Sequence, residues 1–87
     1  MMEYSLEYTK RFLKRLKTLN KASANRILDA VDEILHHPYT GSVMVYAKER
    51  CWKWRVGNYG IIYIIDENEK KITLIIADHR KRIYERL

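Results

Sequence analysis

Two cations stand two residues apart in Cys51-Trp52-Lys53-Trp54-Arg55-Val56. If this run is a strand, its period of two sends alternate side chains to opposite faces. Trp52, Trp54 and Val56 then point into a core, and Cys51, Lys53 and Arg55 share the other face. The two cations would lie roughly 6–7 Å apart, which suits successive phosphates or one phosphate held from two sides. Cationic neighbours would also depress the Lys53 pKa toward a range useful for proton transfer. The same pattern equally describes two solvated residues on an open sheet face. A second cluster, His79, Arg80, Lys81, Arg82 and Arg86, surrounds Tyr84 near the end of the chain. Cations for phosphate and an aromatic for a base are the makings of an RNA site, although a solvated tail anchored by its tyrosine fits too. A third basic run, Lys10, Arg11, Lys14, Arg15, Lys17 and Lys21, either tracks nucleic-acid backbone or is an ordinary solvated face.

Other chemistry finds less support. His36-His37 would need two further ligands to hold a metal, and cations at a helix C-terminus are explained by the helix dipole. Asp29, Asp32 and Glu33 lie on the polar side of a helical pattern, where they pair with nearby cations. There is no Gly-rich phosphate loop, no G-x-S-x-G and no H-E-x-x-H.

The elements that must position these residues follow from periodicity. Glu3 to Tyr8 alternates as a short strand, and Thr9 stands where a helix N-cap is wanted. Phe12, Leu13, Leu16 and Leu19 recur at helical spacing. A second helix begins near Asn20, with a stripe of Ala24, Ile27, Leu28, Val31, Ile34 and Leu35 that Pro38 brings to an end. The two form a helical hairpin. Beyond Pro38 the period falls to two: Val43–Ala47, Cys51–Val56, Tyr59–Ile65 and Lys71–Ala77 read as strands, with Gly57-Asn58 as a hairpin turn. The unbroken apolar run Ile61–Ile65 marks a central strand buried on both faces. The order β-α-α-β-β-β-β implies an α+β domain spanning residues 1–87, with the helical hairpin packed on one face of an antiparallel sheet. Arg80 would then reach the open face near Lys53 and Arg55, which Cys51 shares, and the basic tail adds at most one helical turn.

Eighty-seven residues allow one domain, and 47% hydrophobic residues suffice for one core, which excludes intrinsic disorder. A single cysteine excludes an intramolecular disulfide and a structural zinc site. The absence of an apolar leader and of any long apolar run reads as a soluble, cytoplasmic protein with no membrane partner. Seventeen Lys and Arg against 11 Asp and Glu leave a formal charge of +6, favouring a polyanionic partner. The lack of glutamine and the abundance of Ile, Lys, Glu and Arg are compatible with a heat-adapted source.

Three stretches, in this order, carry a family resemblance. They are Phe12-Leu13-Lys14-Arg15-Leu16 after the opening strand, Trp54-Arg55-Val56-Gly57-Asn58-Tyr59-Gly60-Ile61-Ile62-Tyr63, and the closing Asp78-His79-Arg80-Lys81-Arg82-Ile83-Tyr84. The middle stretch is similar to an "R-x-G-x-Y-R-x-x-Y" strand pair and the last to a "G-H-R-x-x-x-Y" ending. Together they resemble the RelE/ParE superfamily of toxins from bacterial and archaeal type II toxin–antitoxin pairs, over nearly the whole chain. The resemblance implies that family's microbial-RNase-like fold and, on the RelE branch, a ribosome-dependent, metal-independent mRNA endoribonuclease that inhibits translation. Carried over by position, the catalytic set is Lys53, Arg55, Arg80 and Tyr84. Lys10, Arg11, Lys14, His79, Lys81 and Arg82 are the candidate RNA-binding residues. Gly60 departs from the pattern, standing where many relatives have another arginine. The implied reaction is attack of a ribose 2′-OH on its own 3′-phosphate, with no cofactor. The implied partners are a RelB-like antitoxin that wraps the toxin with an acidic segment, the ribosome and mRNA. The alternatives are a ParE-like inhibitor of DNA gyrase without nuclease activity, and an attenuated toxin that only binds RNA.

Overall fold

Leu6 and Tyr8 face the core from the short strand β1 (Ser5–Tyr8), and Thr9 then turns the chain into helix α1 (Lys10–Thr18). Thr9 serves two elements at once. Its Oγ1 accepts from the Phe12 backbone N–H at 3.0 Å, the N-cap bond, and donates to the Ile75 carbonyl at 2.7 Å, tying the start of α1 to the last strand. Asn20 caps α2 (Lys21–His36) through a 2.8 Å bond from the Ser23 N–H. Ile27, Ala30, Val31 and Ile34 form the buried stripe of α2, whereas Leu28 is 41% exposed, so the apolar face is rotated toward Ala30 from the one the spacing predicts. The structure is a computed structural model that describes residues 4–46 and 48–85, apart from the side chains of Tyr46, Tyr84 and Glu85. Glu3, Ala47 and Arg86, to which the sequence assigns places, lie outside the described residues. Among those described, no helix is long and apolar enough to cross a membrane.

Four further strands follow: β2 (Ser42–Tyr46), β3 (Glu49–Val56), β4 (Tyr59–Asp66) and β5 (Lys71–His79). They form one sheet with β1, in the order β1-β5-β4-β3-β2. The apolar run is the central strand as expected, with Ile61, Ile62 and Tyr63 fully buried. The sheet is mixed, not wholly antiparallel, because β1 pairs parallel with β5. Alternation marks a strand but carries no direction, so this feature is invisible in the pattern.

β5 carries one irregularity. Ile62 pairs with Ile76 but Tyr63 pairs with Leu74, so Ile75 is an extra residue, a β-bulge. Beyond it the parity of β5 inverts. Ala77 and His79 join the helix-bearing face, while Ile76 and Asp78 join the other.

The main core lies between the helices and the sheet, with Phe12, Ile27, Ile34, Ile61, Tyr63, Ile72 and Leu74 at its centre and Trp52, Trp54 and Val56 at its rim. The opposite face, expected open, is partly roofed. The basic tail forms a third helix, α3 (Arg80–Glu85), whose Ile83 closes a second small cluster with Cys51, Ile62 and Ile76. Cys51 is accordingly buried and not part of an open surface.

Candidate active site

β3 delivers Lys53 and Arg55 to the α3 side of the sheet by its alternation, opposite Trp52 and Trp54. The β3–β4 register then sets what stands beside them: Lys53 faces Ile62, and Arg55 faces Gly60. Gly60 in turn faces Asp78 on β5, so Arg55, Gly60 and Asp78 form one row across three strands. The turn that sets this register is Gly57-Asn58, with Gly57 at φ 59°, the conformation the first central residue of a type II′ hairpin requires.

α3 settles over that row because Gly60 has no side chain. A Cβ there would meet Ile83 Cδ1 at 3.0 Å and Arg80 Cγ at 3.7 Å. The missing arginine of the family pattern is thus replaced by a seat for α3, and the Arg80 stem lies where that side chain would pass. The Arg80 backbone N–H donates to the Asn58 carbonyl at 2.8 Å, fixing the start of α3 to the β3–β4 turn. Three cations of the sequence-predicted catalytic set therefore gather around Gly60: Arg55 opposite it, Arg80 above it, and Lys53 one pleat along. Lys53 and Arg55 line a hollow with Thr40, Ser42 and Trp54, and Arg80 lines an adjoining one with Asn58, His79 and Lys81. The Arg80 Nε–H is buried with no hydrogen-bond partner, a donor whose desolvation is offset only if an acceptor reaches it. Tyr84 belongs to the last turn of α3, and its side chain lies outside the described residues.

The remaining predicted residues divide. His79 is carried by the inverted parity of β5 to the helix side, where it stacks on Tyr59 with ring centroids 4.6 Å apart, away from the face of Lys53 and Arg55. Arg11, Lys14 and Arg82 meet in a separate pocket between α1 and α3. Lys10 is exposed and lines none of these hollows. Ser42 and Thr40 were not legible as site residues; the signal is the pairing of Ser42 with Lys53, which only the register reveals. Asp78, at 4% exposure the one buried charged side chain among the described residues, was also missed. Its Oδ1 accepts from Arg15 at 3.1 Å and from the His79 N–H at 2.8 Å. His36 contacts the Asp32 carbonyl through Nδ1 in the last turn of α2, and among the described residues no cluster of His, Cys, Asp or Glu is arranged to hold a metal ion.

At the far end of the sheet the Glu67 carboxylate is held well below the usual range, at about 2, by hydrogen bonds from Lys70, Tyr39 and Tyr4. Burial pushes the Tyr63 phenol up to about 12, and its hydroxyl donates to the Pro38 carbonyl at 2.8 Å. Both contacts fasten the α2–β2 loop, which supplies Thr40 and leads into Ser42 at the start of β2.

Comparison with known proteins bears directly on this arrangement. The model of a family described as ParE toxin of the type II toxin–antitoxin system parDE matches residues 6–84. No curated protein sequence matches significantly. Among solved structures, the RelE–RelB complex of Pyrococcus horikoshii superposes with a TM-score of 0.78 at 24% identity, covering 94% of this chain and 99% of that one. The RelBE2 complex of Mycobacterium tuberculosis gives 0.78 at 20% identity, covering 88% and 98%. The isolated E. coli RelE toxin gives 0.75 at 18%, covering 95% and 93%. At these identities the superpositions establish a shared fold, and several of the neighbours are toxin–antitoxin complexes with RelB antitoxins. The family match, which spans nearly the whole chain, establishes more: the chain belongs to the ParE toxin family of type II toxin–antitoxin systems, within the RelE/ParE superfamily.

Proposed function

We propose that this toxin is a ribosome-dependent mRNA endoribonuclease acting through the cations gathered around Gly60. The observation that carries the reading is the convergence of Lys53, Arg55 and Arg80 from two strands and a helix onto one end of one sheet face. The orphaned Arg80 Nε–H supports it, as a donor that a phosphate oxygen would satisfy.

In the reaction the ribose 2′-oxygen attacks the adjacent phosphorus in line. The O2′–P bond forms and the P–O5′ bond breaks, while one proton leaves O2′ and another reaches O5′. The products are a 2′,3′-cyclic phosphate and a 5′-OH. Arg55 and Arg80 hold the non-bridging oxygens, where negative charge builds in the transition state. Lys53 activates the 2′-OH, as a base or through its charge. Tyr84 stacks on or orients a base. His79 lines the hollow of Arg80 but stacks on Tyr59, on the face opposite Lys53 and Arg55, so it does not stand beside that pair. Such a site relies heavily on substrate positioning, which a ribosome holding mRNA in a fixed path supplies. An antitoxin with an acidic extended segment is the matching partner, since it complements the +6 charge and would cover these cations.

The second reading, an alternative that the resemblance raises, is ParE-like gyrase inhibition without nuclease activity. End-group analysis decides between them. RNA cut only on programmed ribosomes, with 2′,3′-cyclic phosphate and 5′-OH ends, is the expected result. Uncut RNA together with blocked gyrase supercoiling would replace the proposal by the second reading.

A further inference from the structure

The basic face of α1 and the basic tail are far apart in sequence, yet fold into one pocket. It lies between α1 and α3 over the end of β5, has a volume of about 260 Å³, and is lined by Arg11, Lys14, Arg15 and Arg82 with Asp78 at its base. Arg15 is held there by three contacts: to Asp78 through one terminal nitrogen, and through the other to Thr18 Oγ1 at 3.3 Å, while Thr18 Oγ1 bonds back to the Arg15 carbonyl at 2.7 Å. These contacts use both ends of the guanidinium fork and leave its Nε–H buried without a partner. Among the described residues the only other buried side-chain nitrogen in that condition is Arg80 Nε, in the candidate active site. Each of the two cationic hollows is therefore lined by an arginine that carries one orphaned, buried guanidinium donor. Buried N–H groups of this kind are destabilising until an acceptor arrives.

The two hollows are also in register. Asp78, which anchors Arg15, stands in the row Arg55–Gly60–Asp78, two inter-strand spacings from Arg55, or roughly 10 Å. α3 is the ridge between them, with Arg80 on the Gly60 side and Arg82 in the second pocket. A polyanion crossing α3 would meet both.

We propose that the α1–α3 pocket is a phosphate seat that holds a backbone phosphate of single-stranded RNA one or two nucleotides from the phosphate at Arg55 and Arg80. It rests on the RNA reading of the neighbouring site and adds an anchor to it. The anchor carries no base information, so it fixes the reading position of the strand without selecting its sequence. Arg15 is a positioning residue here, and Asp78 aims it.

Two probes test the seat independently of cleavage. In ¹⁵N-labelled protein, the Arg15 Nε–H resonance is followed while inorganic phosphate, or a short single-stranded RNA, is added. A saturable shift with both is expected. In parallel, RNA affinity is measured against salt for a Lys14→Ala/Arg82→Ala variant, whose two side chains are exposed and outside the core. Losing one phosphate contact should flatten the log–log slope by about 0.7, the value for a single strand. A Lys48→Gly/Arg50→Ala variant, with the same charge removed from the opposite edge of the sheet, should keep the wild-type slope. A shift with phosphate alone would reduce the pocket to a free-anion site and overturn the RNA assignment. No shift with either probe would remove the seat. A seat that binds RNA on a protein that cuts none would leave this inference standing and defeat the nuclease proposal.

Discussion

At Gly60 an arginine would have to pass through the space held by Ile83 Cδ1 and the Arg80 stem. Gly60→Arg therefore should not strengthen cleavage, although the resemblance places an arginine there. It should destabilise the docked α3 by about 1–3 kcal/mol, the ordinary result of overpacking, and lower activity with it. A gain in cleavage rate with unchanged melting would contradict this reading of the glycine. Lys53→Ala should slow cleavage by about 10²–10⁴-fold, and cleavage at the wild-type rate would show that Lys53 does not activate the 2′-OH. The cation pair at Lys53 and Arg55 was legible from period two alone, because β3 is regular. His79 and Asp78 were not. One extra residue at Ile75 exchanges their faces, and nothing in Lys71-Ile72-Thr73-Leu74-Ile75-Ile76 signals where a run of apolar residues bulges.

Among the elements, α3 decides whether the site is assembled. Six residues are too few to hold a helix by hydrogen bonding alone, so α3 depends on its contact with the sheet. Ile83 supplies that contact from inside the second cluster. Ile83→Ala should weaken docking by about 2–4 kcal/mol. Amide exchange should then rise across α3 while β4 stays protected, with cleavage falling in step as Arg80 loses its seat. Unchanged exchange in α3 would show that something other than Ile83 holds it. The α2–β2 loop has its own fastening at Glu67. That carboxylate titrates near 2 in the fold, below its ordinary 4.5, so its contribution is complete above about pH 4.5 and is lost as pH falls toward 2. Glu67→Gln should flatten the decline of melting temperature across that window by lowering the plateau above about pH 4.5 toward the acid value, and the drop should be small because the group is exposed. The helices and strands themselves were readable from caps and periodicity: Thr9, Asn20, Pro38 and Gly57-Asn58 mark boundaries that the structure keeps. The third helix was harder to foresee, because a lone isoleucine among basic residues is a weak sign of packing.

Taken as a whole, the molecule places its apolar helix stripes on one side of a five-stranded sheet and concentrates cationic hollows on the other side and along the α1 edge. A formal charge of +6 makes that arrangement responsive to salt, and association with RNA should weaken steeply as ionic strength rises. Fold class was recoverable because each element is locally consistent with the global plan. The direction of β1 and the roof over the second face depend on pairing and packing that no single segment encodes. The most direct test of the central claim is cleavage of a defined mRNA on programmed ribosomes by the wild type and by Arg55→Ala, with the melting curves of both proteins recorded. Arg55 is exposed and outside either core, so the variant should melt like the wild type while cutting about 10²–10³-fold more slowly. Equal cleavage by the two proteins would show that the cations around Gly60 are not where the RNA is cut.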